Sequence, residues 1–357
     1  MFINSKGVIM KKELLMGTAL VSTLGAASVA EAVTATMSGN HKTGMEFDSP
    51  TGGTDTNAQT NDNNFTVSLS ETTDGGMTIS SSFKVMDETS KYDGDAGFTL
   101  AFTDGSKLDL LNAGNASGSH AVSIPGSAGA EDVATTSTNM APGGLDFATA
   151  ATNYGLEYHT AADFLADGLS MSFSASTDSG AAALSGNTYR TDSHIAIGAT
   201  YVTDLGDTAV TMGGGISQSD GSKKSTAVAN DTGGFHVGLS AVTGDLTVAA
   251  GFADGDVAGA GASSALEYNA EVTKVGLKYV SGDLTFNVGF TSGEATDNTA
   301  GNSGGSADSK DTTSASVSYA VAAGVTAMIG YTSVEAGDEG AATDDGSAWY
   351  IGANMAF

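Results

Sequence analysis

The sequence predicts an all-β chain, a sixteen-stranded antiparallel barrel that crosses a membrane, and three observations carry that reading. Apolar residues alternate with small polar ones in stretch after stretch, the connections between stretches alternate short and long from end to end, and Gly takes 49 of 357 positions. Strict alternation gives each strand two faces in two environments. Sorted connections put short turns at one rim and long loops at the other, as in a transmembrane barrel. With so much Gly, Ala, Ser and Thr, bulky side chains are too dilute for a thick helical or α/β interior.

The first element stands outside the barrel. The segment "MKKELLMGTALVSTLGAASVAEA" has Lys11 and Lys12, an apolar run from Leu14 to Val29, and small residues at Ser28, Ala30 and Ala32. This is the layout of a secretory signal peptide. It occupies residues 1–31, with Met10 as an alternative start and cleavage after Ala30 or Ala32; residues 32–357 are the barrel. Lys+Arg 13 stand against Asp+Glu 41. Removing residues 1 to 30, and with them Lys6, Lys11, Lys12 and Glu13, leaves ten basic and forty acidic side chains, so nucleic acid is not an expected partner. No other stretch approaches the roughly 18 to 20 apolar residues of a spanning helix. The absence of cysteine fits an exported chain.

The strands follow from parity. In "TGDLTVAAGF" (243–252) Leu246, Val248, Ala250 and Phe252 share one face; in "SGDLTFNVGF" (281–290) Leu284, Phe286, Val288 and Phe290 do. The Gly-Asp before each marks a tight hairpin turn. Short turns are expected at 71–76, 104–106, 165–168, 204–207, 243–245, 281–283 and 322–324. Long connections rich in Gly, Ser, Asp and Asn are expected at 48–61, 87–95, 113–151, 178–191, 218–232, 253–265, 293–311 and 335–346. Fifteen connections join sixteen strands, each expected to run roughly 9 to 11 residues, the length that crosses a bilayer at a tilt. The opposite parity is Ser, Thr, Gly, Asn and a few charges, which describes a wet lumen. Between Glu267 and Tyr279 the parity slips, which reads either as a β-bulge or as a misplaced boundary.

Two stretches carry a resemblance. "FTVSLSETTDGGMTISSSFKV" (65–85) and the C-terminal "AWYIGANMAF" resemble the general diffusion porins of Gram-negative outer membranes, particularly the alphaproteobacterial branch. The resemblance implies a homotrimer in outer-membrane lipid that passes small hydrophilic solutes. It implies that the third long loop, 113–150, folds inward to narrow the pore, with loop acids set against basic residues of the facing wall. The candidate acids are Glu131, Asp132 and Asp146, and the candidate bases are Lys42 and Lys84, both of lumen parity. Glu157 adds a further acid at comparable height. Four acids against two bases give an expectation of modest cation selectivity. Trp349, Ile351, Met355 and the terminal Phe357 share one face, an ending that the resemblance assigns to recognition by the outer-membrane assembly machinery. Small outward residues at Ala35, Gly39 and Ala353 would suit close packing of neighbours. The chain departs from the family where its second strand reads "NDNNF" (61–65) in place of arginines.

Other chemistry is sparse. His41, His120, His159, His194 and His236 show no metal-ligand spacing, and no nucleophile elbow or nucleotide loop appears, so the chain is not expected to be an enzyme. No resident cofactor or metal is expected; acidic outer stretches at 92–97, 254–256 and 335–346 offer the hard oxygens that Ca²⁺ favours, without EF-hand spacing. The alternative to a channel is a non-transport surface protein, an adhesin or surface-layer-like β array. Loop sorting and Phe357 favour the channel.

Overall fold

The computed structural model describes residues 33–51, 53–87, 97–111, 115–126, 155–177, 189–223, 232–258, 267–296, 309–337 and 345–357. The expected leader therefore lies outside the described residues. Sixteen strands pair antiparallel in chain order, and the last closes on the first. They are β1 (Thr34–Pro50), β2 (Thr56–Thr72), β3 (Thr78–Asp87), β4 (Phe98–Ala101), β5 (Lys107–Leu110), β6 (Gly155–His159), β7 (Leu169–Thr177) and β8 (Tyr189–Leu205). The second half is β9 (Thr208–Lys223), β10 (Thr232–Thr243), β11 (Leu246–Ala258), β12 (Glu267–Ser281), β13 (Leu284–Thr296), β14 (Ser309–Ala322), β15 (Val325–Gly337) and β16 (Gly346–Ala356). Closure leaves the sheet without a free terminal strand, the condition for a sheet to stand in a membrane.

All seven expected short turns are present, and each contains one glycine with positive φ: Gly76, Gly105, Gly168, Gly206, Gly244, Gly282 and Gly324. That conformation is open to glycine at little cost, which is why the turns announce themselves in the sequence. In the β4–β5 turn the backbone N–H and hydroxyl of Ser106 both donate to Asp104, at 2.9 and 2.7 Å. Those bonds hold the Asp104 carboxyl below its ordinary range.

The two faces separate as the alternation requires. On β14, Lys310, Thr312, Ser314 and Ser316 are buried on the lumen side while Asp311, Thr313 and Ala315 are exposed on the outside. Large apolar side chains such as Val237, Val275, Val288, Ile329 and Ile351 stand exposed on the outer wall and form an apolar band around it. The buried apolar residues are few; Met328 and Tyr350 touch on the lumen side, and the Tyr350 ring lies over the bare faces of Gly44 and Gly352.

Three expectations are corrected. Strands β1, β2 and β8 run 17 residues and β9 runs 16, well beyond a bilayer crossing. Residues 56–61, 189–191 and 218–223, read as loop, belong to the ladder. Across 218–223, above the apolar band, both faces meet water, whereas on 56–61 the outward Asn57, Gln59 and Asn61 are polar at the level of Phe47, Met45 and Thr43; in both places the alternation that betrays a strand disappears while its hydrogen bonds persist. Conversely β4, β5 and β6 keep only 4 to 5 residues each. Finally, β12 pairs with β11 and β13 in unbroken register through 269–281, so no bulge lies there. Ala270 and Val272 are buried toward the lumen, and the outward row simply turns from Val275 to Thr273, Glu271 and Asn269 as it leaves the apolar band. Single-residue register shifts occur instead at Val85, Asp192 and Val321.

Candidate functional site

The third long connection turns into the barrel. Its described part, Asn115 to Gly126, lies against the inner wall from β7 round to β14. The Ala116 N–H donates to Ser174 Oγ at 3.0 Å, and Ser117 donates to the Asn115 side chain at 2.9 Å. A single 3-10 turn, Gly118–His120, follows. There His120 Nδ1 is bonded to Thr200 Oγ1 at 2.7 Å and Nε2 to Ser172 Oγ at 2.8 Å. His236 Nε2 donates to the Ser117 carbonyl at 2.8 Å, and Ser314 donates to the Gly126 carbonyl. Burial in this seat lowers the His120 imidazole to about 4, with His159 and His236 nearby adding to the effect.

The wall is cut to receive this segment. A methyl group at Gly198 would strike Ala116, one at Gly213 His120, one at Gly215 Ser117, one at Gly238 Val122, one at Gly276 Pro125 and one at Gly289 Gly126. These glycines are register partners: Gly198 opposite Gly215, Gly213 opposite Gly238, Gly276 opposite Gly289. They lie on β8, β9, β10, β12 and β13, with only the small Ala249 of β11 opposite Gly276 between the two groups, and the loop backbone settles into this lane. Such close approach is open to glycine alone.

The expected charges fall as follows. Glu131, Asp132 and Asp146 lie outside the described residues. Lys42 faces the lumen between Asp62 and Asn354, whereas Lys84 stands opposite Thr66, four residues further along β2. At ~3.3 Å per residue that separates their registers by roughly 13 Å along the strand. Glu157 is 2% exposed beneath the loop, where Ser119 Oγ donates to Oε1 at 2.6 Å and His159 Nε2 lies 3.5 Å from the same oxygen. Sequence reading missed Lys274 and Lys278, which share the lumen face of Gly276 and so flank the Pro125 contact, and Lys310, also on the lumen side. The parity of Lys274 and Lys278, in step with Gly276 and out of step with Val275 and Leu277, was the available signal. The histidines scattered in sequence also converge: His120, His159 and His236 come together around the start of the loop.

At the seam, Phe357, Met355, Ile351 and Trp349 all face outward and exposed. The Phe357 ring packs on Phe65 at 6.1 Å between centroids, and Trp349 on Tyr331 at 4.7 Å. Phe357 and Gly39 exchange backbone hydrogen bonds of 3.0 and 3.1 Å, which extends the closing ladder by one pair.

Residues 17–354 match the family model described as Gram-negative porin. The chain belongs to the Gram-negative porin family. No curated protein matches it. Among solved structures it is similar to a porin refined at 1.8 Å, with TM-score 0.60 and 17% identity over 90% of this chain and 100% of that one. It is similar to the anion-selective porin from Comamonas acidovorans, with TM-score 0.65 and 12% identity over 91% of this chain and 100% of that one. The trimer form of OmpT from Vibrio cholerae gives TM-score 0.60 and 14% identity over 92% of this chain and 100% of that one. At such identities the structures speak for the fold, and family membership carries the rest. The protein is an outer-membrane porin, a non-enzymatic channel for passive diffusion, which sets aside the surface-array alternative.

Proposed function

We propose that this porin is a weakly cation-selective, homotrimeric channel for small hydrophilic solutes, narrowed by the loop of residues 113–150. The loop's seat along the glycine lane carries the reading, because it brings Asn115 to Gly126 against the inner wall from β7 to β14. The described wall is close to balanced: Lys42, Lys84, Lys107, Lys274, Lys278 and Lys310 share the lumen face with Glu46, Asp48, Asp62, Asp109, Glu157 and Asp204. Residues 127–154 add Glu131, Asp132 and Asp146 and no lysine or arginine. The loop therefore tips an even balance, which makes the preference weak. The surplus of acids on outer surfaces is screened over roughly 8 Å at physiological salt and counts for less.

Reversal potential in a salt gradient tests this. Unmodified channels favour cations slightly, Lys84→Glu increases the preference, and Glu131→Gln with Asp132→Asn reduces it. Anion preference in the unmodified channel defeats the proposal. The outward apolar row ending in Phe357 supports a role as the signal read by the outer-membrane assembly machinery, and the outer-wall band supports contact with outer-membrane lipid.

The oligomer reading rests on the outer face of β1 and β2. His41 and Thr43 point outward at the level of Met355 and Ala353, and they bond across to Asn63 and Asn61. Amide and imidazole groups at that depth are costly against lipid tails. A neighbouring copy covering this face removes the cost.

A further inference from the structure

On the lumen face of β5 and β6, below the first turn of the inward loop, Asp109, Glu157 and His159 bring their ligand atoms within 4.8 Å of one another. His159 Nε2 lies 2.9 Å from Asp109 Oδ2 and 3.5 Å from Glu157 Oε1. Three ligands about 2.1 Å from a tetrahedral Zn²⁺ stand roughly 3.4 Å apart, so these two separations bracket what such an ion needs. We propose that Asp109, Glu157 and His159 form a Zn²⁺ site at the foot of the inward loop.

Each of the three is already held from outside by one hydroxyl. Thr99 donates to Asp109 Oδ1, Ser119 donates to Glu157 Oε1, and Ser172 is bonded to His159 Nδ1 at 2.8 Å. Outer partners of this kind orient metal ligands, and a hydrogen bond on the distal ring nitrogen fixes which nitrogen is free to bind. Ligation through Nε2 places the His159 proton on Nδ1, where Ser172 Oγ accepts it. Ser172 then donates to His120 Nε2, whose Nδ1–H donates to Thr200, so the bonded row His159–Ser172–His120–Thr200 accommodates the change without breaking. An imidazole among the donors selects Zn²⁺ over Ca²⁺ and Mg²⁺, which take oxygen. With Lys107 at 3.6 Å from Asp109, two carboxylates and one ammonium leave a net negative charge for the ion to neutralise. The Asp109 and His159 side chains are 20% and 15% exposed, which gives lumen ions access.

The test is calorimetric titration of the folded full chain in detergent with zinc chloride at neutral pH, in excess calcium. One Zn²⁺ binds per chain, and His159→Ala and Asp109→Asn each weaken binding about tenfold or more, while Glu335→Gln on the outer face leaves it unchanged. Absence of saturable binding, or affinity in both variants equal to that of the unmodified chain, overturns the proposal. Should either variant fail to form a heat-resistant barrel, X-ray absorption of the zinc-loaded unmodified chain decides: a mixed shell containing one imidazole supports the site, and an all-oxygen shell overturns it.

Discussion

His120 shows how a single side chain ties the loop to pH. Its imidazole is buried between β7 and β8 with both ring nitrogens bonded, and burial lowers it from 6.5 to about 4. An unfolded chain takes up this proton near 6.5 and the folded chain only near 4, so folding is fully favoured above about 6.5 and loses stability as pH falls toward about 4. The loss is on the order of 3 kcal/mol. Thermal unfolding of the unmodified porin and of His120→Gln, followed across this interval, should show a steeper decline in the unmodified protein. Parallel curves would mean that the imidazole carries no such linkage.

At the level of elements, the glycine lane and the outer acidic rows make opposite predictions. Gly276→Val drives a branched side chain into the Pro125 carbonyl, and overpacking of this kind costs about 1–3 kcal/mol. The loop shifts from the wall, and single-channel recordings should show an altered and noisier conductance. Unchanged traces would show that the seat does not set the constriction. On the outer wall above the apolar band, Asp254 faces Glu271, Glu271 faces Glu294, and Asp311 faces Glu335. Like charges directly opposite on neighbouring strands destabilise the pair. Glu271→Gln should therefore raise stability by roughly half a kcal/mol at low ionic strength, and the gain should fade at high salt.

For the whole molecule, the short strands β4–β6 and the polar outer face of β1–β2 lie on one side of the barrel, consecutive around the ring. If copies meet there, Asn61→Cys in this cysteine-free chain should cross-link neighbours in mild detergent, whereas Val237→Cys, on the far wall, should not. Monomers alone, or equal linkage from both positions, would remove the β1–β2 face as the contact between subunits.

Strand number, turn positions and the facing of each apolar row were legible in the sequence because they are local. Alternation has period two, and each turn advertises a glycine such as Gly244 or Gly282 that no neighbour needs to explain. Strand ends were not legible: across 218–223 both faces meet water, and in "NDNNF" the outward Asn61 and Asn63 are as polar as their lumen-facing neighbours, so the pattern that marks a strand is absent. The lane under the inward loop was also hidden, although its glycines were in plain view. Gly276 and Gly289 sit thirteen residues apart in sequence and become one surface only through register, and what presses on that surface comes from Pro125 and Gly126, across the lumen. The convergence of Asp109, Glu157, His159 and His120 has the same origin. Local chemistry along a strand is set by the chain, but side chains from β5, β6 and a returning loop meet only when the sheet closes and its interior becomes a place.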